Sequence, residues 1–294
     1  MLPLDLVNLT PLMERTMGKP EVSIGLIDGP VATSHPDLSG QCIQEVSGSS
    51  SGVCSRASSV ACMHGTFVAG ILCARRGSKA PAICPGCTLL VRPIFAEIAS
   101  GNGEMPSATP DELAAAIIDT VRAGARAINL SAALVQPSYR GERKLEEALN
   151  FAARRSVIIV AAAGNQRAVG STAITRHPWV IPVAACDSQG KPMGESNFGH
   201  SIGTRGLLAP GHDIESLGTD GKPNSFGGTS AAAPFVTGTI ALLWSKFSKA
   251  SAAQVKLALT QPHGWRRNSI VPPLLDAWGG HRAMGDPVAL RGQT

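Results

Sequence analysis

Short apolar runs rich in β-branched residues alternate along the chain with segments of helical periodicity, and this alternation strongly limits the possible folds. The apolar runs predict strands at 21–27, 88–95, 127–130, 157–161, 179–184 and 206–209. The periodic segments predict helices at 63–72, 110–121, 142–155, 230–244 and 252–259. Apolar strands joined through helices are typical of parallel sheets buried on both faces. We therefore predict an α/β fold, a three-layer sandwich with a mostly parallel central sheet covered by helices on both faces.

The length of the chain favours one large domain. Its 294 residues can bury a sizeable core, and no change in composition marks a linker. Residues 1–20 predict an N-terminal arm or short helix packed on the outside, and residues 31–62, rich in Ser, Gly and Cys, predict a loop. We expect a single domain over 1–294, with its core at about 20–260 and a C-terminal extension at 261–294.

The charge pattern does not favour nucleic acid or membrane as a partner. The formal net charge is +5, and the basic residues are dispersed in short pairs such as Arg75-Arg76 and Arg154-Arg155. No uncharged apolar run is long enough to cross a membrane. The first ten residues lack the basic start and apolar run of a secretory signal, so we expect a cytoplasmic protein.

The cysteines suggest thiols or a local disulfide more than a metal site. There are seven, so at least one is unpaired within the chain. Cys84-Pro-Gly-Cys87 has the spacing of zinc ligands, but no second close Cys or His pair accompanies it. No run of spaced acidic residues predicts a calcium site. We therefore assign no metal site and expect no required cofactor, with calcium binding left open.

Three polar residues stand at positions that suit chemistry. Asp28 ends the first predicted strand, at the sheet edge where ligands of open α/β folds bind. His64 lies in the first turn of a predicted helix. Ser230 follows a glycine pair at the mouth of a long apolar helix, where free backbone N–H groups favour negative charge. Locally, each also fits a structural role as a turn residue, a packed histidine or a helix N-cap.

Taken together, the segments around these residues resemble the three catalytic blocks of the subtilisin-like serine proteases. The blocks are Ile27-Asp28-Gly29, His64-Gly65-Thr66-Phe67-Val68-Ala69-Gly70 and Gly228-Thr229-Ser230-Ala231-Ala232-Ala233-Pro234, in the chain order Asp, His, Ser of subtilisin. A fourth block, Ala162-Ala163-Gly164-Asn165, resembles the oxyanion-hole segment of the family. The resemblance covers roughly residues 20–260.

The resemblance implies a subtilisin-like fold and a serine endopeptidase that works through an acyl-enzyme. Asp28, His64 and Ser230 would form the catalytic triad, and Asn165 with the Ser230 backbone N–H would form the oxyanion hole. The substrate is expected to be an extended peptide. The residues implied in its binding are Gly101, Asn102, Gly103, Asn129, Leu130, Ser131, Ala163 and Gly164.

Several positions depart from the usual family pattern. Ala231 stands where Met is common after the serine, and Phe67 stands where many members have a second histidine. The segment Ser131-Ala132-Ala133 replaces Ser-Leu-Gly, which leaves the specificity pocket open. The 27 residues before Asp28 lead us to expect no folding-assisting pro-segment, as in an intracellular branch of the family.

A finer resemblance points to proteases that mature cyanobactin-type ribosomal peptides by cutting a leader from a precursor peptide. It rests on 27–31 with 35–38, on 89–95 and on 270–278. A general intracellular degradative subtilase is the main alternative, and a peptide-binding pseudoprotease is another. A fourth reading takes Ser230 as a nucleophile elbow, with Asp276 and His281 in the order of α/β-hydrolases.

Overall fold

The structure is a computed structural model, and it describes residues 1–48, 51–97, 108–131, 142–260 and 268–285. Its strands are β1 Ser23–Asp28, β2 Ile43–Glu45, β3 Thr88–Pro93, β4 Ala127–Leu130, β5 Ile158–Ala162, β6 Val180–Cys186, β7 Leu207–Pro210, β8 Ile214–Leu217 and β9 Pro223–Phe226. Its helices are α1 Pro3–Leu6, α2 Thr10–Met13, α3 Val60–Cys73, α4 Pro110–Arg122, α5 Glu142–Arg154, α6 Ala173–Arg176, α7 His200–Arg205, α8 Thr229–Lys246, α9 Ala252–Thr260 and α10 Ala277–Gly285.

Seven strands form one sheet in the order β2-β3-β1-β4-β5-β6-β7, and every neighbouring pair is parallel. The carboxyl ends of these strands therefore meet at one edge of the sheet. The strand order reverses beside β1, because β3 lies on one side of it and β4 on the other. Ligand sites of open α/β sheets form at such reversals, so a functional site is expected at the carboxyl end of β1.

Alternate side chains of each central strand enter two separate cores. In β1, Ile24 and Leu26 pack with α3 and α8, whereas Ile27 packs with α4 and α5 on the opposite face. In β5, Ile158 and Val160 join the first core, while Ile159 joins the second. This alternation is the period of two expected of strands buried on both faces. The predicted three-layer α/β sandwich is confirmed.

Polar or short elements differ from the sequence-based expectation. Strand β2 lies inside the segment predicted as a loop, and β8 with β9 forms an antiparallel hairpin just before Ser230. Neither β2 nor β9 has an apolar pattern, since their residues are half-buried or exposed.

Helix α3 also begins at Val60, so the expectation that His64 lies in the first turn is wrong. His64 belongs to the second turn.

The N-terminal segment is anchored to the body of the protein. Leu9 and Leu12 are fully buried in the core that contains α3 and α8. The Arg76 guanidinium donates hydrogen bonds to the backbone carbonyl groups of Met13 and Thr16. No helix within the described ranges is long and apolar enough to span a membrane.

Candidate active site

Asp28 is fixed at the carboxyl end of β1 and is completely buried. Its Oδ1 atom accepts a hydrogen bond from the Gly29 backbone N–H at 2.6 Å. The same oxygen lies 2.7 Å from Nδ1 of His64. The second carboxylate oxygen, Oδ2, is buried and has no hydrogen-bond partner within the described chain. A buried carboxylate is costly unless it is paired, so His64 is its main compensating partner.

Two glycines allow α3 to approach the loop that follows Asp28. A Cβ atom at Gly29 would collide with the backbone of Ala61, and one at Gly65 would collide with the carbonyl groups of Gly29 and Pro30. The Asp-Gly and His-Gly pairs of the sequence therefore have a steric reason. Without side chains at these two positions, the helix can bring His64 to Asp28.

His64 is held with one ring nitrogen engaged and most of its side chain covered. The side chain is 12% exposed. Burial disfavours the imidazolium, but the charge of Asp28 and its hydrogen bond outweigh burial and raise the pKa of His64 above its ordinary value. Because Nδ1 faces the carboxylate, the neutral ring carries its proton there and leaves Nε2 as the acceptor. The ring is thus oriented for general-base chemistry at Nε2.

Ser230 is the second residue of α8, at the positive end of an 18-residue helix. Gly228 precedes the helix with φ +93° and ψ −174°, a conformation essentially restricted to glycine. The Ser230 side chain is partly exposed, and its hydroxyl donates to the backbone carbonyl of Ser131 at 3.1 Å. In this state, the described hydrogen bond of the nucleophile candidate is with Ser131 rather than with His64.

Asn165 is tied to the mouth of the same helix. Its Oδ1 atom accepts the Thr229 backbone N–H at 2.9 Å. The Gly164 backbone N–H, in turn, donates to the Thr229 hydroxyl at 3.1 Å. Since the amide oxygen of Asn165 is engaged, its Nδ2 group remains as the donor. Asn165 itself is exposed, so this donor belongs to a surface that a substrate can reach.

The remaining predicted substrate-binding residues are distributed unequally around this site. Ser131 contacts Ser230, and the buried Asn129 amide hydrogen-bonds to Ser131 at 2.8 Å. Leu130 is fully buried in the core that contains α4 and α5, which leaves only its backbone for any peptide. Ala163 and Gly164 are buried beside Asn165. Gly101, Asn102 and Gly103 lie outside the described residues.

Phe226 is a site residue that the sequence reasoning missed. Its ring centroid lies 6.3 Å from that of His64, and it packs edge-to-face on Phe67 at 5.0 Å. Phe67, which stands where many family members have a second histidine, therefore makes an aromatic contact with Phe226. In the sequence, Phe226 is only an aromatic residue four positions before Ser230. Its contact with His64 depends on β9 lying beside α3, which is a tertiary feature.

The cysteines form one local disulfide, between Cys54 and Cys62 at the start of α3. The other five are free thiols, and Cys84 and Cys87 are both buried. Within the described chain, one group of three potential metal ligands is found, formed by Cys54, Cys62 and Glu97. Both of its sulfur atoms belong to the disulfide. The bridge ends two residues before His64.

Comparisons with known proteins fit this geometry. Residues 19–268 match the subtilase family, peptidase S8. The chain belongs to this family. Its subtilisin members are serine endopeptidases, which are hydrolases. The resemblance inferred from the sequence blocks is confirmed, and the α/β-hydrolase alternative is wrong. The two residues that this alternative required have other partners. The Asp276 carboxylate accepts a hydrogen bond from the Asn8 side chain, and the His281 ring stacks on Trp278.

Among its relatives, the chain is 29% identical to fervidolysin of Fervidobacterium pennivorans, over 87% of this chain and 39% of the relative. It is 31% identical to subtilisin DY of Bacillus licheniformis, over 81% of this chain and 82% of the relative. Among solved structures, it is similar to a mutant of the protease domain of PatA, with TM-score 0.82, 29% identity and coverage of 92% and 98%. It is also similar to the prenylagaramide maturation protease PagA, with TM-score 0.79, 28% identity and coverage of 94% and 98%.

Proposed function

We propose that this chain is a serine endopeptidase whose catalytic triad is Asp28, His64 and Ser230. The observation that carries the proposal is the 2.7 Å contact between Oδ1 of the buried Asp28 and Nδ1 of His64. It orients the imidazole and stabilises the positive charge that the ring gains during proton transfer. A buried carboxylate paired with a histidine, in a chain that also places a serine at a helix mouth, is suited to acyl transfer.

The proposed reaction begins when the Ser230 hydroxyl turns from the Ser131 carbonyl towards Nε2 of His64. His64 accepts the hydroxyl proton while Oγ bonds to the carbonyl carbon of the peptide. Collapse of the tetrahedral intermediate breaks the C–N bond, and His64 returns the proton to the leaving amine. Water then attacks the acyl-enzyme with the same proton route, which regenerates Ser230 and releases a carboxylate.

The oxyanion of the tetrahedral intermediate would be received at the mouth of α8. The donors are Nδ2 of Asn165 and the backbone N–H of Ser230. The Oδ1 contact with Thr229 supports this role, because it fixes which end of the Asn165 amide is free to donate. Donors held in place before the reaction stabilise developing charge without having to reorganise.

The test is covalent labelling with a fluorophosphonate probe. We expect wild-type protein to be labelled at Ser230, no labelling in Ser230→Ala, and slower labelling in His64→Ala. Peptide mapping of the adduct identifies the labelled serine. Equal labelling of His64→Ala and wild type would contradict the triad. An unlabelled wild type that still binds peptides would favour the pseudoprotease.

For the substrate, we propose a ribosomally made precursor peptide from which a leader is cut. Support comes from the likeness to PatA and to the maturation protease PagA over almost the full length of both chains. A degradative enzyme is the competing proposal. Mass spectrometry of digests of a peptide library distinguishes them: one dominant cleavage motif supports maturation, and dispersed cleavage supports degradation.

A further inference from the structure

Two hydroxyl groups of α8 contact the end of β4. Ser230 and Thr237 are seven residues apart, which is about two helical turns, so they share one face of the helix. Thr237 donates from Oγ1 to Oδ1 of Asn129 at 2.9 Å. Ser230 donates from Oγ to the carbonyl oxygen of Ser131 at 3.1 Å. The two bonds join the same helix to two nearby positions of one strand end.

Asn129 links the two contacts to each other. Its Nδ2 group donates to the Ser131 hydroxyl at 2.8 Å. Residues 129 and 131 are two apart, the spacing at which strand side chains share a face. Asn129 and Thr237 are fully buried, and Ser131 is 5% exposed. The four residues thus form a frame that runs from the core to the Ser230 hydroxyl.

The frame holds the parts of the site that no triad contact fixes. Asp28 orients His64, but the Ser230 hydroxyl is held by the carbonyl of Ser131, the residue that follows β4. The position of Ser131 relative to α8 therefore sets the orientation in which the Ser230 hydroxyl is held. Thr237 also fixes which end of the Asn129 amide faces Ser131, because the hydroxyl donates to the amide oxygen.

We propose that Asn129 and Thr237 are positioning residues for the nucleophile, acting on Ser230 through Ser131. The inference rests on the proposed function, in which Ser230 attacks the substrate. Its consequence is that loss of the buried Thr237 hydroxyl slows the reaction of Ser230. The loss leaves the titration of His64 unchanged, because His64 is held separately by Asp28.

The chain offers a matched control on the same helix. Thr239 is as fully buried as Thr237, but its hydroxyl donates to the carbonyl of Phe235 within α8. The single hydroxyl proton of Thr237 is shared between Oδ1 of Asn129 at 2.9 Å and the helical carbonyl of Ala233 at 3.2 Å. Thr237→Val and Thr239→Val therefore remove equivalent hydroxyls, and only the first removes a contact with the frame.

The experiment measures the rate of fluorophosphonate labelling of Ser230 as a function of pH, with folding checked by circular dichroism. For Thr237→Val we expect a rate about tenfold below wild type with an unchanged pH midpoint, within the range that a misplacement of about 1 Å costs. Thr239→Val is expected to label like wild type. Thr237→Ser, which keeps the hydroxyl, is expected to restore the rate.

A second variant covers the case in which Thr237→Val does not fold. Ser131→Ala removes the acceptor of the Asn129 amide but keeps the backbone carbonyl that Ser230 contacts, and we expect a similar slowing. Equal rates for wild type, Thr237→Val and Ser131→Ala would overturn the inference alone. A shifted pH midpoint in both variants would overturn it too. A wild type that is not labelled at Ser230 would instead overturn the proposed function.

Discussion

A side chain at position 228 would strike the amide of Asn165, since a Cβ built on Gly228 lies 2.8 Å from Nδ2. The backbone at Gly228 also has φ +93°, which L side chains rarely adopt. Gly228→Ala is therefore expected to cost about 1–3 kcal/mol of folding stability and to lower kcat by displacing the oxyanion donor. Thermal unfolding and steady-state kinetics measure the two effects.

A matched control for Gly228→Ala is Gly221→Ala. Gly221 has a similar φ of +81°, but a Cβ there meets nothing within 4 Å. We expect it to reduce stability and to leave kcat at the wild-type value. A kcat loss of equal size in both variants would contradict the role given to the Gly228–Asn165 contact.

Removal of the Asn165 amide tests the oxyanion hole directly. Asn165→Ala is expected to lower kcat roughly 10²–10³-fold, the loss measured when the matching donor is removed from subtilisin. KM should change little, because the donor serves the charged intermediate more than the bound peptide. A variant with raised KM and wild-type kcat would show that Asn165 only binds substrate.

The pH dependence of activity follows from the pKa of His64. The base must be neutral, so kcat/KM is expected to rise with pH through a midpoint above about 6.5. Asp28→Asn removes the charge that raises this pKa. We expect its midpoint to move to lower pH and its rate to fall roughly 10⁴-fold, as in the trypsin triad. A pH midpoint that does not move would show that His64 is not the group whose titration controls kcat/KM.

The same pKa shift has the opposite effect on folding. Because the pKa of His64 is raised in the folded protein, the protonated form of His64 contributes to the free energy of unfolding. That contribution is fully present below the unfolded pKa and is lost as pH rises through the folded pKa. Activity and this share of the stability are therefore expected to change in opposite directions over one pH window. Chemical denaturation across that window, with His64→Ala as the reference, measures the stability term.

The disulfide predicts a thiol count and a stability change. Of seven cysteines, five are free, so denatured but unreduced protein should show five reactive thiols and reduced protein seven. The double variant Cys54→Ser with Cys62→Ser is expected to lose about 2–3 kcal/mol, from the short loop that the bridge closes. Cys42→Ser, at an exposed free thiol, is the control. Seven thiols before reduction would contradict the pairing.

Chelation tests the expectation that no cofactor is required. Apart from the peptide and the attacking water, every group in the proposed reaction is a side chain or backbone amide of the chain, so EDTA is expected to leave kcat/KM within about twofold of its original value. A loss of activity that calcium restores would show that the mechanism or the fold depends on a bound ion. The comparison is made at fixed ionic strength, since salt alone changes surface electrostatics.

The sequence predicted the parallel core because its strands are buried on both faces and therefore read as continuous apolar runs. Strand β9 was missed because Pro223–Phe226 alternates between exposed and half-buried residues, and its pairing with β8 is defined by tertiary contacts. The Asp28, His64 and Ser230 candidates followed from motifs. The hydrogen bond of the Ser230 hydroxyl did not, because its partner is a backbone carbonyl 99 residues away.

Because Cys62 and His64 lie on the same helix, the redox conditions under which the protein is made affect the surroundings of His64 through the Cys54–Cys62 bridge. Disulfides persist in oxidising compartments and are rare where glutathione keeps thiols reduced. Protein made in the cytosol of an expression host and protein exported from it would then differ by two hydrogen atoms beside the site. Preparations of this chain should be compared by intact mass before their rates are compared.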